Sequence, residues 1–218
     1  VGVDAGELAG VDTLTGITAV GDLDALIATG PECVVYCAMG DTRPVEAAND
    51  VRRLLEAGID VVGSAPGTLQ YPWGTMPQKV IDKVEASAQA GSEIVYITGV
   101  DPGFASDLVP LALASTCQRI EQIKCYELAD YATYDGAEVM FDLMGFGKPL
   151  TDTPLLFLPG VLGMAWGTAI RMMATGLGIE VDDIVEHWEA EPAPESYDIA
   201  AGRIEEGTIA ALKFSITG

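Results

Sequence analysis

Residues 30–104 alternate between short apolar runs and helical patterns, and this alternation restricts the possible folds more than any other feature. The apolar runs begin at Cys33, Ile59 and Ile94, and each ends in a turn rich in glycine or proline. An uninterrupted apolar run is typical of a strand buried on both faces of a parallel sheet. The segments between the runs have the apolar spacing of one-sided helices. This alternation predicts right-handed βαβ units in a doubly wound α/β sheet.

The pattern changes after residue 104. Residues 120–134 alternate in polarity and predict a long strand, and residues 155–177 predict a core helix. Further strands are predicted at 185–189 and 208–216. The sequence therefore predicts an α/β Rossmann-type part over residues 1–104, which is the C-terminal part of a dinucleotide-binding domain. It predicts an α+β part with a mixed sheet over residues 105–218.

Several local signals predict element boundaries. Residues 17–20 predict a short strand, and Asp22 is a candidate N-cap for the helix that follows. Ser106 is the candidate N-cap of a helix over residues 106–116. The run of residues 33–39 predicts a central strand of the parallel sheet. The first residue is Val1 and no G-x-G-x-x-G motif occurs, so we expect an internal fragment whose glycine-rich unit would precede Val1.

The charge of the chain excludes two classes of partner. Thirty-three acidic residues face 11 basic ones, which gives a net charge of −22. Nucleic acids and anionic membranes attract basic surfaces, so neither is an expected partner. Four cysteines without a CxxC pair favour a reduced, cytoplasmic protein. Dispersed carboxylates give no support for a metal site, and the apolar stretch 155–177 contains Pro159 and Arg171, which argues against a membrane span.

Three turns follow the predicted parallel strands and should lie at one sheet edge, where ligands bind in open α/β sheets. They occupy residues 37–41, 63–67 and 98–103. Small residues there let a flat ring or a ribose approach the backbone, and free N–H groups can meet phosphate oxygens. The turns together favour a dinucleotide, whereas any one of them is equally compatible with a plain connecting loop.

Other candidate residues have both a structural and a functional interpretation. Tyr71 and Trp73 can line an apolar substrate pocket or pack a loop onto the core. Glu127, on the predicted long strand, can face solvent or a polar pocket. His187 is the only histidine, and a lone histidine is more often structural. No G-x-S-x-G motif and no Cys/His pairing supports a hydrolytic triad.

Several motifs together resemble those of the dihydrodipicolinate-reductase-like dehydrogenases. They are VDAGELAG, CVVYCAMGDTRP, GIDVVGSAPGTLQYPWG, ITGVDPGFASDLVPLAL, EQIKCYELADY and FDLMGFGKP. Within that group the sequence looks most similar to the native amine dehydrogenases and the 2,4-diaminopentanoate dehydrogenases. The most specific motifs are GVDPGF, YPW and the segment that carries Glu127.

The resemblance implies an NAD- or NADP-dependent oxidoreductase that reductively aminates a small ketone or aldehyde with ammonia, and the reverse deamination. Those enzymes have a glutamate in the loop before YP, where this chain has Gln70 and no acid, so we expect Glu127 or Asp101 to supply the charge, and Glu127 in the first place. The catalytic candidates are therefore Glu127, Gln70 and Asp101. The resemblance also implies that residues 105–218 form a substrate-binding and dimerisation domain and that the protein is a homodimer. The substrate-binding candidates are Tyr71, Trp73, Asp130 and His187, and the cofactor-binding candidates are Cys37, Ala38, Met39, Gly40, Ser64, Ala65, Pro66, Gly99, Pro102, Gly103 and Phe104.

Two alternatives remain. The first is a reductase of the same architecture that acts on a different C=N or C=O group, because Gln70 cannot accept a proton as a carboxylate does. The second is a nucleotide-binding regulatory module without turnover.

Overall fold

The computed structural model describes residues 1–40 and 43–218, which form two compact units. The first unit comprises Val1–Pro66 and Gln78–Ile97, and the second comprises Gly67–Pro77 and Thr98–Gly218. The predicted division was at residue 104. The loop that carries Tyr71 and Trp73, here called the aromatic loop (Gly67–Pro77), belongs to the second unit, as does the turn that begins at Thr98.

A parallel sheet of three strands forms the centre of the first unit. The strands are β1 (Cys33–Tyr36), β2 (Asp60–Gly63) and β3 (Val95–Ile97), in the spatial order β1-β2-β3. Val61 pairs with Val34 on one side and with Val95 on the other. Each strand follows its neighbour through a helix. The predicted α/β class is therefore confirmed.

Four helices accompany this sheet: α1 (Ala5–Leu8), α2 (Leu23–Ile27), α3 (Pro44–Glu56) and α4 (Gln78–Gly91). The Asp22 carboxylate accepts a hydrogen bond from the Asp24 backbone N–H, which confirms Asp22 as the N-cap of α2. The apolar side chains of α3 and α4 face the interior. The buried ones are Ala47, Ala48, Val51, Leu54, Leu55, Ile81 and Val84.

Two predictions for the first unit are wrong. β1 is an edge strand of the three-stranded sheet, and Val35 is 74% exposed, so the strand is not buried on both faces. An apolar run shows that a strand prefers burial, but it does not show how many elements cover it. Residues 17–20 form no strand and contribute only a single bridge between Asp4 and Thr18.

The second unit contains short helices and two antiparallel ribbons. The helices are α5 (Leu108–Ala114), α6 (Val161–Ala165) and α7 (Gly167–Leu177), with a π-helical turn at Glu138–Leu143. The strands are β4 (Val185–Pro192), β5 (Tyr197–Ile199), β6 (Gly202–Ile204) and β7 (Ile209–Thr217). β4 pairs with β7 and β5 pairs with β6. The predicted α+β content is present, but its strands form two separate ribbons and not one mixed sheet.

One apolar cluster holds the second unit together. Phe157 stacks on Trp188 of β4 with ring centroids 4.5 Å apart, and Trp166 meets Phe214 of β7 edge-on at 4.9 Å. The alternating residues Ala210, Leu212, Phe214 and Ile216 pack against this cluster, as their spacing predicts. Its buried members are Met140, Met144, Phe146, Leu156, Phe157, Leu162, Ala193 and Ile204.

The long strand predicted over residues 120–134 does not form. The segment pairs with none of the strands in the described ranges, and Tyr126 is 84% exposed. Alternating polarity predicts a strand only where a neighbouring strand supplies hydrogen-bond partners for its backbone. Here only a short 3₁₀ turn, Tyr131–Thr133, occurs within it.

Two helix predictions also need correction. Asp107, and not Ser106, is the N-cap of α5, because the Ser106 hydroxyl bonds to the backbone of Gly103 instead. The helix predicted over 155–177 is divided into a 3₁₀ turn (Leu155–Phe157), α6 and α7. Gly160, with φ +86°, separates the first two pieces. Across residues 1–40 and 43–218, no helix is long and apolar enough to cross a membrane.

Candidate active site

The turn after β3 is built around two glycines. Gly103 has φ +143°, and a Cβ there would lie 2.3 Å from the carbonyl oxygen of Gly99. A Cβ on Gly99 would in turn lie 2.4 Å from the carbonyl oxygen of Pro102. The Phe104 N–H donates to that Gly99 oxygen at 2.9 Å. Only glycine permits this closeness, and the tight turn fixes the position of Asp101.

Asp101 is the centre of a group of polar side chains from distant parts of the second unit. The indole Nε1–H of Trp166 donates to Asp101 Oδ2 at 2.8 Å. The pKa of Glu127 is raised to about 7, first by a side-chain hydrogen bond with Asp101 and then by partial burial and the negative charge of Asp101. Two of the three predicted catalytic residues thus form a carboxyl pair.

This pair can move a proton near neutral pH. Two adjacent carboxylates resist simultaneous ionisation, and Glu127 accordingly keeps its proton up to about pH 7. A group whose pKa lies near the working pH is suited to general acid–base catalysis. The Asp101–Glu127 pair has this property, although Glu127 itself is exposed in the chain.

Two further side chains respond to the same charges. Burial and the Asp101 charge raise the pKa of the Cys125 thiol. Burial, followed by the charges of Glu127 and Asp101, raises the pKa of the Tyr131 hydroxyl. Both groups therefore stay protonated at neutral pH. Cys125 is unsuited to nucleophilic catalysis, which requires a thiolate.

Gln70, the third predicted catalytic residue, contacts a different carboxylate. Its side-chain N–H donates to Oδ2 of Asp107, and Oδ1 of Asp107 accepts the Leu108 backbone N–H. Asp107 is only 1% exposed. The sequence analysis did not identify Asp107, although an aspartate before the apolar run of α5 is a recognisable N-cap signal. Trp166 was also missed, since nothing in the sequence distinguishes it from a core residue.

The aromatic loop packs onto α7. The Tyr71 hydroxyl and the Thr175 hydroxyl are 2.6 Å apart and hydrogen-bonded. The rings of Tyr71 and Trp73 meet edge-on at 5.1 Å, and about half of the Trp73 surface is exposed. These contacts agree with the interpretation in which the loop packs on a neighbouring element. The roles of Tyr71 and Trp73 in substrate binding stay predictions.

The other two predicted substrate residues lie away from these contacts. The exposed Asp130 caps the Tyr131–Thr133 turn, and its carboxylate accepts from the Ala132 N–H at 2.9 Å. His187 lies on the exposed face of β4, opposite the face that carries Trp188 into the apolar cluster. In the described ranges neither residue hydrogen-bonds with the Asp101–Glu127 pair. Their binding roles stay predictions.

In the first unit, the turns after β1 and β2 contact each other through Gly40. A Cβ on Gly40 would lie 2.7 Å from the Pro66 Cα, so glycine lets the two turns meet. Gly40, Ala65 and Pro66 are buried, whereas Cys37, Ala38, Met39 and Ser64 are exposed. Asp41, the last residue of the first predicted turn, lies outside the described residues. The exposed small residues at the carboxyl end of a parallel sheet fit the flat ring and ribose of a nicotinamide nucleotide.

The remaining cofactor candidates lie in the Asp101 turn of the second unit. Gly99 and Pro102 are partly buried, Gly103 is buried, and Phe104 is exposed. All four cysteines of the chain are free and exposed. In the described part of the chain, no group of three or more His, Cys, Asp or Glu side chains is arranged to hold a metal ion.

Comparisons with known proteins agree on one kind of enzyme. The chain is 37% identical to an amine dehydrogenase. That protein is from Streptomyces virginiae, and the match covers all of this chain and 61% of its relative. The chain thus spans about three fifths of the relative's length. The match over the whole chain supports a relation to the amine dehydrogenase family.

A solved structure supports the fold. The structure of the amine dehydrogenase from Mycobacterium smegmatis matches with a TM-score of 0.73, over 99% of this chain and 63% of the other. The sequence identity of 16% limits this likeness to the fold. No family model matches the sequence.

Proposed function

We propose that this chain acts in an oxidoreductase of the amine dehydrogenase type. The reaction would join a small ketone or aldehyde with ammonia to give an amine, and the reverse reaction would deaminate that amine. The observation that carries the proposal is the Asp101–Glu127 carboxyl pair, in which the pKa of Glu127 is raised to about 7. The similarity to the Streptomyces amine dehydrogenase supports it.

The chemistry of amination requires the properties of this pair. One ionised carboxylate attracts an ammonium ion, and the same group can take the proton that ammonium must lose to become the ammonia that attacks a carbonyl carbon. The protonated form of the pair can return a proton to the oxygen that leaves as water. Trp166 would hold Asp101 in place during both steps through its N–H hydrogen bond to Oδ2.

A nicotinamide cofactor, NADP or NAD, would supply or accept the hydride when bound. In the first unit, Cys37, Ala38, Met39, Gly40, Ser64, Ala65 and Pro66 are the residues proposed to hold it. In the second unit, Gly99, Pro102, Gly103 and Phe104 are proposed for the same role. The exposure of Cys37, Ala38, Met39, Ser64 and Phe104 supports the assignment. None of these turns distinguishes NADP from NAD.

Tyr71 and Trp73 are proposed as walls of the substrate pocket. An aromatic wall favours an apolar substituent on the amine and helps to exclude water from a reactive C=N bond. A homodimer and a cytoplasmic location are part of the proposal and derive from the sequence.

A turnover assay tests the proposal directly. The protein is mixed with a panel of small ketones and aldehydes, ammonia and NADPH or NADH, and loss of the reduced-nicotinamide absorbance is followed. We expect turnover only when ammonia is present, and we expect amine oxidation with the oxidised cofactor. Carbonyl reduction that does not depend on ammonia would instead support the reductase alternative, which the amide at Gln70 favours. Cofactor binding without any turnover would support the regulatory module.

A further inference from the structure

The second unit contains a cavity of about 310 Å³ that does not include the Asp101–Glu127 pair. Its volume falls in the range typical of small-molecule pockets, about 300–1,000 Å³. The wall combines one arginine, Arg171, with three carboxylates and several glycines. The charged lining residues are Arg171, Asp182, Asp183 and Glu186.

Arg171 has an unusual environment for a cation in this chain. Its Nε atom is buried and has no hydrogen-bond partner among residues 1–40 and 43–218. Within the same ranges, no carboxylate lies within ion-pair distance of its guanidinium group. This occurs although acidic residues outnumber basic ones three to one. A buried donor without a partner is rare in native proteins and indicates a ligand, an ion or a bound water.

The loop that carries Tyr71 and Trp73 lies close to the Arg171 side chain at Gly74. Gly74 has φ +82°, and a Cβ at this position would lie 3.0 Å from Arg171 Nε. A larger residue there would therefore crowd the guanidinium group. Thr75 of the same loop also lines the cavity. A confined guanidinium loses little freedom when it binds an anion, and its planar fork matches a carboxylate.

Two of the three carboxylates that line the cavity, those of Glu186 and Asp183, already accept backbone hydrogen bonds. Glu186 accepts hydrogen bonds from the backbone N–H groups of Gly160, at 3.0 Å, and Gly163. One oxygen of Asp183 accepts the Ile184 N–H at 2.8 Å. Asp182 forms no hydrogen bond or ion pair in the described residues. Asp182 and Asp183 are exposed and thus accessible to a cationic group on a ligand.

We propose that this cavity binds a small zwitterion of the amino-acid class. Its carboxylate would meet the Arg171 guanidinium, and its ammonium group would face Asp182 and Asp183. A phosphate or dicarboxylate would be disfavoured, because three carboxylates repel a second negative charge. This inference does not depend on the proposed oxidoreductase activity, because it uses none of the residues assigned to that reaction.

Calorimetric titration of the protein without nicotinamide tests the proposal. The probes are β-alanine, which carries both charges, propionate, which carries only the carboxylate, and inorganic phosphate. We expect β-alanine to bind most tightly and phosphate most weakly. Arg171→Met should weaken β-alanine binding by at least tenfold. Arg119→Gln is the matched control, because Arg119 is exposed and paired with Glu121, and it should leave binding unchanged.

A second variant keeps the test decisive if Arg171→Met does not fold. Asp182→Asn combined with Asp183→Asn changes only exposed side chains and should abolish the preference for β-alanine over propionate. The proposal is overturned if wild-type protein binds none of the probes or binds all three equally. It is also overturned if Glu127→Gln, and not Arg171→Met, removes β-alanine binding, since the probe would then occupy the carboxyl pair.

Discussion

The second unit holds two aspartates six positions apart that have opposite kinds of partner. Asp101 contacts another carboxyl group, Glu127, and the indole N–H of Trp166. Asp107 contacts a side-chain amide, Gln70, and the backbone N–H of Leu108. Both aspartates follow the same strand in the sequence. Because both residues are aspartates, any difference in their roles must come from their hydrogen-bond partners.

The difference separates a group that exchanges protons from one that maintains structure. The carboxylate of Asp101 raises the pKa of its neighbour Glu127 to about 7, so Glu127 can exchange a proton near neutral pH. The partners of Asp107 are the N–H groups of Gln70 and Leu108, which are not acids. The Asp107–Gln70 pair is therefore expected to anchor the loop that carries Gln70 to the start of α5, and the Asp101–Glu127 pair is expected to serve catalysis.

Glu127→Gln should have the largest effect. The amide keeps the size of the side chain and removes its ability to accept a proton, so the rate of amine oxidation should fall by roughly 10²–10⁴-fold. The measurement is kcat with a saturating amine and oxidised nicotinamide.

Glu206→Gln is the matched control for this substitution. Glu206 is an exposed turn residue, and its loss should leave kcat unchanged. A Glu127→Gln enzyme with the wild-type rate would remove the pair from the mechanism and leave Asp101 as a structural residue like Asp107.

Asp101→Asn should change the pH dependence. Asparagine still accepts the Trp166 N–H, but it replaces the carboxylate that hydrogen-bonds with Glu127 and carries no charge, so two of the three causes that raise the pKa of Glu127 are lost. The pKa of Glu127 should fall from about 7 toward the ordinary value of 4.5. Since the ionised form accepts the proton, the rise of kcat/KM with pH should move in the acidic direction by a similar interval.

The same substitution should alter stability in a defined pH window. A group whose pKa is raised on folding favours the folded state below its unfolded pKa, and this contribution is lost as pH rises through the folded pKa. Wild-type stability should therefore decline between about pH 4.5 and 7 relative to Asp101→Asn. Thermal melting across this range measures the difference. His187→Gln is the control for the only histidine of the chain. If the change in stability near neutral pH disappears in this variant, it comes from His187 and not from Glu127.

The sequence predicted the Asp101 group better than the Asp107 group. Asp101 and Glu127 were identified from the glycine turn and from a resemblance, although the strand that was to carry Glu127 did not form. Asp107 and Trp166 were not identified, because their roles depend on partners 37 and 65 positions away.

In the first unit, the alternation of strand and helix patterns predicted the helices and the parallel sheet, since these depend on local sequence. It did not predict the exposure of β1, which depends on what covers the sheet.

Two glutamine–aspartate hydrogen bonds differ in the burial of the acceptor, one being buried and the other on the surface. Gln70 bonds with the buried Asp107, whereas Gln78 bonds with Asp82 one helical turn away at the exposed start of α4, at 2.8 Å. Gln70→Met keeps the length of the side chain but leaves a buried carboxylate oxygen without its donor, which should cost about 1–3 kcal/mol of unfolding free energy. Gln78→Met exposes its acceptor to water and should cost about 0.2–0.5 kcal/mol. Urea unfolding of both variants measures the difference. Equal losses of unfolding free energy would mean that water replaces Gln70 as the donor to Asp107. The Asp107–Gln70 pair would then be as accessible to solvent as the Asp101–Glu127 pair, and the comparison between the two pairs would fail.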